Sequence, residues 1–277
     1  MNAWTKISQL DRRWVYLAVW IAVIIPLVFP ARFPISITPE ARQLYDAVEA
    51  LPDSSVVLLT FDVYPNALAE TEPMARAALH HLFRKHIKVV TLTTIPLGGP
   101  SIAERVTREF AKLYNKTYGV DFVNLGYKPN YASVLKGLST SIEAIYPTDN
   151  SGTPLKQLPL MQTVKSYADM KFIFVVTDNG IIDYWISIVN AQYNIPVGAG
   201  VTAVMAPKQY AYVGSGQLTG LLGGMKGAAE YEELVGKHAL ATTGMGIQSL
   251  VHFLLIALIG LGNLGYFLGR RRKEATT

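Results

Sequence analysis

The chain has 277 residues, half of them hydrophobic, with no cysteine and a formal net charge of +5. Without cysteine, disulfides, thiolate metal sites, cysteine nucleophiles and cysteine lipidation are excluded. Nor does the charge indicate a nucleic-acid partner. Residues 31–243 balance 18 basic against 18 acidic side chains, and the excess lies in Lys6, Arg12, Arg13, Arg270, Arg271, Arg272 and Lys273 at the two ends. A nucleic-acid protein carries its basic patch on the folded domain.

The first element in chain order is an uncharged apolar run, residues 14–30, opened by Trp14, Tyr16 and Trp20. At about 17 residues it is at the short end of what crosses a bilayer core. Its exit, Leu27-Val28-Phe29-Pro30-Ala31, lacks the small-x-small cleavage pattern, so it reads as an uncleaved signal anchor. A second uncharged run, 244–269, is long enough to span. Basic residues gather outside both runs, with only Arg32 and Lys237 near their inner ends. The positive-inside rule then predicts a two-pass cell-membrane protein with both termini cytoplasmic and the middle extracytoplasmic. The expected division is a cytoplasmic flank (1–13), transmembrane helix 1 (14–30), an α/β domain (31–243), transmembrane helix 2 (244–269) and a basic tail (270–277).

Inside the domain, Thr38-Pro39-Glu40 predicts a helix start, with a cap, a proline at the first position and an acid in the first turn. Residues 55–61 (SVVLLTF) form a short, almost wholly apolar run, the mark of a strand buried on both faces. Helix 70–86, strand 87–93, helix 101–114, strand 120–125 and a short helix at 131–138 follow. After a Pro/Gly/Ser-rich stretch, 146–159, come helix 160–168, strand 171–177, helix 181–193, a fifth strand region at 196–205 and a glycine-rich helix at 217–235. Such alternation implies right-handed crossovers and an open, mostly parallel sheet of about five strands, Rossmann-like or flavodoxin-like.

In sheets of this kind ligands bind beyond the carboxyl ends of the strands. The candidates there are Asp62, Tyr64, Asn66, Tyr127, Lys128, Asn130, Asp178 and Asn179, a set suited to a phosphate, sugar or carboxylate. The same residue types are also ordinary turn and cap residues after strands. Gly198-x-Gly200-x-x-Ala203 matches a dinucleotide fingerprint in form only, since Val204-Met205-Ala206-Pro207 is not expected to open a helix. His80, His81 and His86 lack metal-ligand spacing. No cofactor and no metal are expected.

Glycine spacing is the most specific local feature. Gly216, Gly220, Gly224 and Ala228 recur every four residues, which on one helix would share a face. Such a face could pack closely on the sheet, on a copy of itself or against the membrane. In the second apolar run Gly265 and Gly269 form a small-xxx-small pair that lets membrane helices approach. Asn263, in the same run, would favour a helix–helix contact over lipid, and His252 lies near its outer end.

The stretches FDVYP (61–65), NLGYKPN (124–130), AGVTAVMAP (199–207) and SGQLTGLLGGMKGAAEYEEL (215–234) resemble those of uncharacterised prokaryotic two-pass membrane proteins. The resemblance implies the same arrangement of an α/β domain between membrane helices and carries no catalytic residue. The two anchoring helices, the small-residue faces in the domain and in the second membrane helix, and the missing catalytic motifs lead us to expect a membrane-anchored, non-enzymatic binding or scaffold module. Its expected partners are the lipid bilayer and either further copies of itself or other membrane proteins. A hydrolase or transferase working at the strand rim through Asp62 or Asp178 is the alternative.

Overall fold

The computed structural model describes residues 11–29 and 34–274, without the side chains of 268–274. Lys6 and the rest of the flank 1–10, the exit Pro30–Arg32 and the last three residues lie outside the described residues. The chain divides into two units: a domain, Ile35–Ala241, and the terminal segments on either side of it.

In the terminal unit, α1 (Arg12–Val28) begins two residues before the uncharged run. The Asp11 side chain accepts from the Arg13 N–H at 2.9 Å and caps it. The C-terminal helix runs from Leu240 to Glu274. Among the described residues its segment Leu240–Phe267 is the one helix long and apolar enough to cross a membrane. His252 and Asn263 are both exposed on it.

The domain is built on six parallel strands, β1 (Val56–Asp62), β2 (Lys88–Thr93), β3 (Phe122–Tyr127), β4 (Phe172–Thr177), β5 (Val197–Val201) and β6 (Gly220–Gly223), in the order β3-β2-β1-β4-β5-β6. This is the Rossmann-type order, with its reversal between β1 and β4. The strands read as apolar runs because both faces are covered. Val56, Leu58, Ile173 and Val175 enter one core with Trp185. Their neighbours face the other way, where Phe174 meets Tyr231 edge-on at 6.1 Å.

The helices are α2 (Pro39–Glu49), α3 (Leu68–Arg84), α4 (Gly99–Leu113), α5 (Tyr131–Gly137), α6 (Ile142–Ile145), α7 (Pro159–Thr163), α8 (Ile181–Tyr184), α9 (Ala206–Gly214) and α10 (Gly224–Leu234). The α8 helix continues through a π turn, Trp185–Asn190, into Ala191–Tyr193. On the Phe174 face α10 lies against α3 and α2, α3 against α4, and α2 against β6. On the opposite face α5 packs on the π turn and α9 on β6.

Three sequence expectations are corrected here. The sheet has six strands, because the expected helix 217–235 is in fact β6 followed by α10. Gly216 and Gly224 adopt φ of +76° and +62°, left-handed values that no continuous right-handed helix accepts. Gly216, Gly220, Gly224 and Ala228 therefore do not share a helix face. Second, a helix does open at Ala206, with Pro207 in its first turn, where the missing N–H is harmless. Third, the expected helix 160–168 breaks after Thr163. Val164 is extended, and Ser166 caps a separate 3₁₀ turn, Tyr167–Asp169, through a capping box.

Gly198, Gly200 and Gly220 act by close packing inside the domain, whereas Gly216 has open space around it. A Cβ at Gly198 would meet Leu44 Cδ1 at 2.2 Å, one at Gly200 would meet Met74 Sδ at 2.8 Å, and one at Gly220 would meet the Leu44 backbone nitrogen at 2.4 Å. Gly198 and Gly200 are thus strand residues on which α2 and α3 rest, not a phosphate turn. Gly220→Ala pushes against backbone, which cannot rotate away, so we expect a loss of about 1–3 kcal/mol, as for overpacking elsewhere. Gly214→Ala, at a site with open space, is the control and should be neutral or slightly stabilising. Thermal unfolding of both variants in detergent checks this. Equal midpoints would show that α2 does not press on β6 as described.

Candidate functional site

The reversal of strand order places the ends of β1 and β4 at the crevice where such sheets bind ligands. Asp62, the last residue of β1, is fully buried there. Its Oδ1 accepts from the Thr94 N–H at 2.7 Å and the Thr94 hydroxyl at 2.8 Å, and its Oδ2 from Trp185 Nε1 at 3.2 Å. Burial raises its carboxyl above the usual range, and the Thr94 and Trp185 hydrogen bonds oppose that rise. The Asp62 backbone oxygen accepts from Thr177 Oγ1 at 3.0 Å and Asn179 Nδ2 at 2.8 Å. Asp178 holds the next loop: its two carboxylate oxygens lie 3.3 and 3.2 Å from the Tyr64 nitrogen, which donates to them, and Oδ1 also accepts from Asn179 Nδ2 at 3.1 Å.

Asp62, Tyr64, Asp178 and Asn179 are therefore brought together, and their polar groups join one loop to another. The remaining four candidates stand apart from that network. Lys128 lies with its ammonium 5.8 Å from the Tyr146 ring centroid. Asn130 takes a left-handed conformation and caps α5 by accepting from the Ser133 N–H. Asn66 is exposed in the turn Pro65–Ala67, and Tyr127 is exposed at the end of β3.

The first strand-to-helix turn, Asp62-Val63-Tyr64-Pro65-Asn66, contains no glycine. It is packed instead against the next turn. A Cβ at Gly98 would meet Pro65 Cδ at 3.0 Å, and one at Gly99 would meet the Phe61 oxygen at 2.5 Å. The first turn thus lacks the glycines through which a dinucleotide fold brings its backbone close to a pyrophosphate. The large side chains that the rim presents outward are mostly aromatic or aliphatic, with Asn66, Asn130 and Lys208 exposed among them. Tyr64, Leu97, Tyr127, Tyr131, Tyr184 and Val204 are each more than a third exposed, Val204 at 89%. Each lies on a loop, strand end or first helical turn at the carboxyl edge. Tyr131 and Tyr184 pack edge to face with centroids 4.5 Å apart. Beside them Lys208 pairs with Asp183 at 2.5 Å.

A second constellation was not legible in the sequence. His81, fully buried on α3, has Nε2 at 2.6 Å from Glu49 Oε2 on α2 and Nδ1 at 2.8 Å from the Tyr231 hydroxyl on α10. Burial, the main cause, pushes the imidazole down to about 4, against the pull of Glu49. The His81 bond is in turn the main cause that lowers the Glu49 carboxyl. The two directions agree on one arrangement: a neutral ring donating from Nε2 to the carboxylate and accepting from Tyr231 at Nδ1. The order acid–histidine–hydroxyl resembles a nucleophile relay, but Tyr231 has no exposure. No substrate reaches it, and the network joins three helices. Nothing in the spacing of residues 49, 81 and 231 signals the contact. Among the described residues no group of three or more His, Asp or Glu side chains could hold a metal.

Comparison with protein-family models, with curated proteins and with solved structures finds no match to this chain.

Proposed function

We propose that this chain is a membrane-tethered, non-enzymatic binding and assembly module whose partner-facing surface is the carboxyl rim of its sheet. One observation carries the reading: Asp62 and Asp178 are committed to holding loops together, while most of the rim's large exposed side chains are aromatic or aliphatic. A reactive carboxylate must reach substrate, and Asp62 does not. Exposed apolar side chains clustered on one edge are the usual mark of a protein–protein surface. Asn263, exposed on the apolar C-terminal helix, supports assembly within the bilayer as well, because its amide would otherwise lack a partner in lipid. Gly265 and Gly269 remain the proposed site of close helix approach there. In the domain, by contrast, Gly220 and Gly224 are used by internal packing, and Gly216 faces open space. The hydrolase or transferase reading would have to rest on Asp178 alone.

The tether is proposed to be two-pass, with α1 and the C-terminal helix both crossing and the domain outside the cytoplasm, on the strength of the basic flanks. A reporter insertion tests it. Tyr146, Leu155 and Leu158 are buried, so most of the stretch 146–159 is part of the fold. Ser151 and Gly152 are exposed at its tip, and Gly152 has open space around it. Alkaline phosphatase inserted at Gly152 should be active. An inactive phosphatase, with a fluorescent cytoplasmic reporter at the same position, would invert the topology.

A further inference from the structure

Within the domain, between α3, α4 and the segment after α10, lies a partly open cleft of about 190 Å³, room for roughly six waters. Much of its wall is apolar, with Phe110, Leu113 and Leu240 prominent. Leu113 and Leu240 are both more than half exposed. Most of its polar groups already have partners. Arg76 is paired with Glu72 at 2.9 Å and Glu109 at 2.6 Å. Glu232 accepts from the Ala239 and Ala241 N–H groups at 2.9 and 3.0 Å. His80 is held down to about 4, mainly by burial and then by the charges of Lys237 and Arg84, so it is neutral at pH 7. Lys237 lies with its ammonium 5.4 Å from the Phe110 ring centroid, and the Arg76 guanidinium is 5.7 Å from the same ring. A cation beside apolar surface is complementary to an anionic amphiphile.

Chain continuity says which amphiphile is at hand. Leu240 is both a wall of the cleft and the first residue of the apolar helix Leu240–Phe267. Its 28 residues extend about 42 Å, against a hydrocarbon core of about 30 Å. Divided between the two ends, the excess leaves the first turn in the headgroup layer. We propose that the cleft seats part of an anionic phospholipid, the first few methylenes of one acyl chain against the exposed Leu113 and Leu240 and the phosphate at Lys237, with the rest of the lipid left in the bilayer. This rests on the reading of that helix as a membrane span.

The test uses the full chain in phosphatidylcholine vesicles doped with a photoreactive phospholipid carrying a diazirine on its acyl chain. The dopant has either a phosphatidylglycerol or a phosphatidylcholine headgroup. Label is expected on peptides containing Phe110 and Leu113, about fivefold more from the anionic probe, the preference one lysine gives near a membrane. Lys237→Gln should bring the two probes level. Ala239→Trp, which fills the cleft, should remove most of this label and leave that on residues 251–267 unchanged. Label confined to 251–267 in the parent chain would overturn the proposal, as would an anionic preference that survives Lys237→Gln. An alkaline carbonate wash separates the two readings. Release of the chain would sink the membrane span and this inference with it, whereas retention without cleft label sinks this inference alone.

Discussion

Replacing Trp185 by alanine is expected to lower the stability of the domain by about 3–5 kcal/mol, the usual cost of deleting a fully buried indole. Trp185 is the largest fully buried side chain in the domain. It opens the π turn and its Nε1 donates to Asp62. The substitution therefore leaves a cavity and also takes one of three donors from a buried carboxylate. Trp185→Phe separates the two effects. It keeps most of the packing and loses the hydrogen bond, so about 1–3 kcal/mol of the loss should remain. Denaturant unfolding of the detergent-solubilised chain measures both. An alanine variant within about 1 kcal/mol of the parent would mean that the core beneath the crevice is not packed as described.

Acid should weaken the fold well above the range where carboxylates titrate. The His81 ring falls from 6.5 to about 4 on folding, so between those values the unfolded chain binds a proton that the folded chain refuses. Stability is then complete above pH 6.5 and is lost as the pH falls toward 4. For a fully buried group the difference amounts to about 3 kcal/mol. His80, lowered to about 4 mainly by burial, acts in the same sense. The lowered Glu49 does so below 4.5. Asp62 opposes them, because a carboxyl raised by burial is relieved by protonation as the pH falls. Unfolding midpoints from pH 7.5 to 4.5 should be level at first and then drop below about 6.5. A histidine that titrates near 6.5 by NMR at position 81 would remove the basis for the drop.

How much of this the sequence discloses depends on whether the signal is local. The first five strands are short, largely apolar segments alternating with helical patterns, residues 55–61 the clearest of them, and their carboxyl ends could be named from the sequence. The sixth, Gly220–Gly223, is hidden because the i, i+4 glycine spacing imitates a helix face. Its true cause is the approach of α2 from a segment some 176 residues earlier in the chain. The α9 helix is hidden for the opposite reason: Pro207 reads as a breaker unless it is placed in the first turn. At the rim, the residue types and their placement were legible, but their roles were not. Asp62 looks like a free acid until Trp185, 123 positions away, is seen to donate to it. The aromatic rim likewise appears only when loops from five strands are brought to one edge.

The claim that this rim is an assembly surface is tested most directly by the size of the complex the chain forms. Leu97 and Val204 are 65% and 89% exposed, so Leu97→Asp with Val204→Asp should leave the fold intact while placing charge on the proposed contact. Blue-native electrophoresis of the chain from gently solubilised membranes should show the parent in a complex well above its own 30.4 kDa. The double variant should run markedly smaller, and Asp178→Asn should run with the parent. A parent that migrates as a monomer, or a complex unchanged by two aspartates at the rim, would contradict the account.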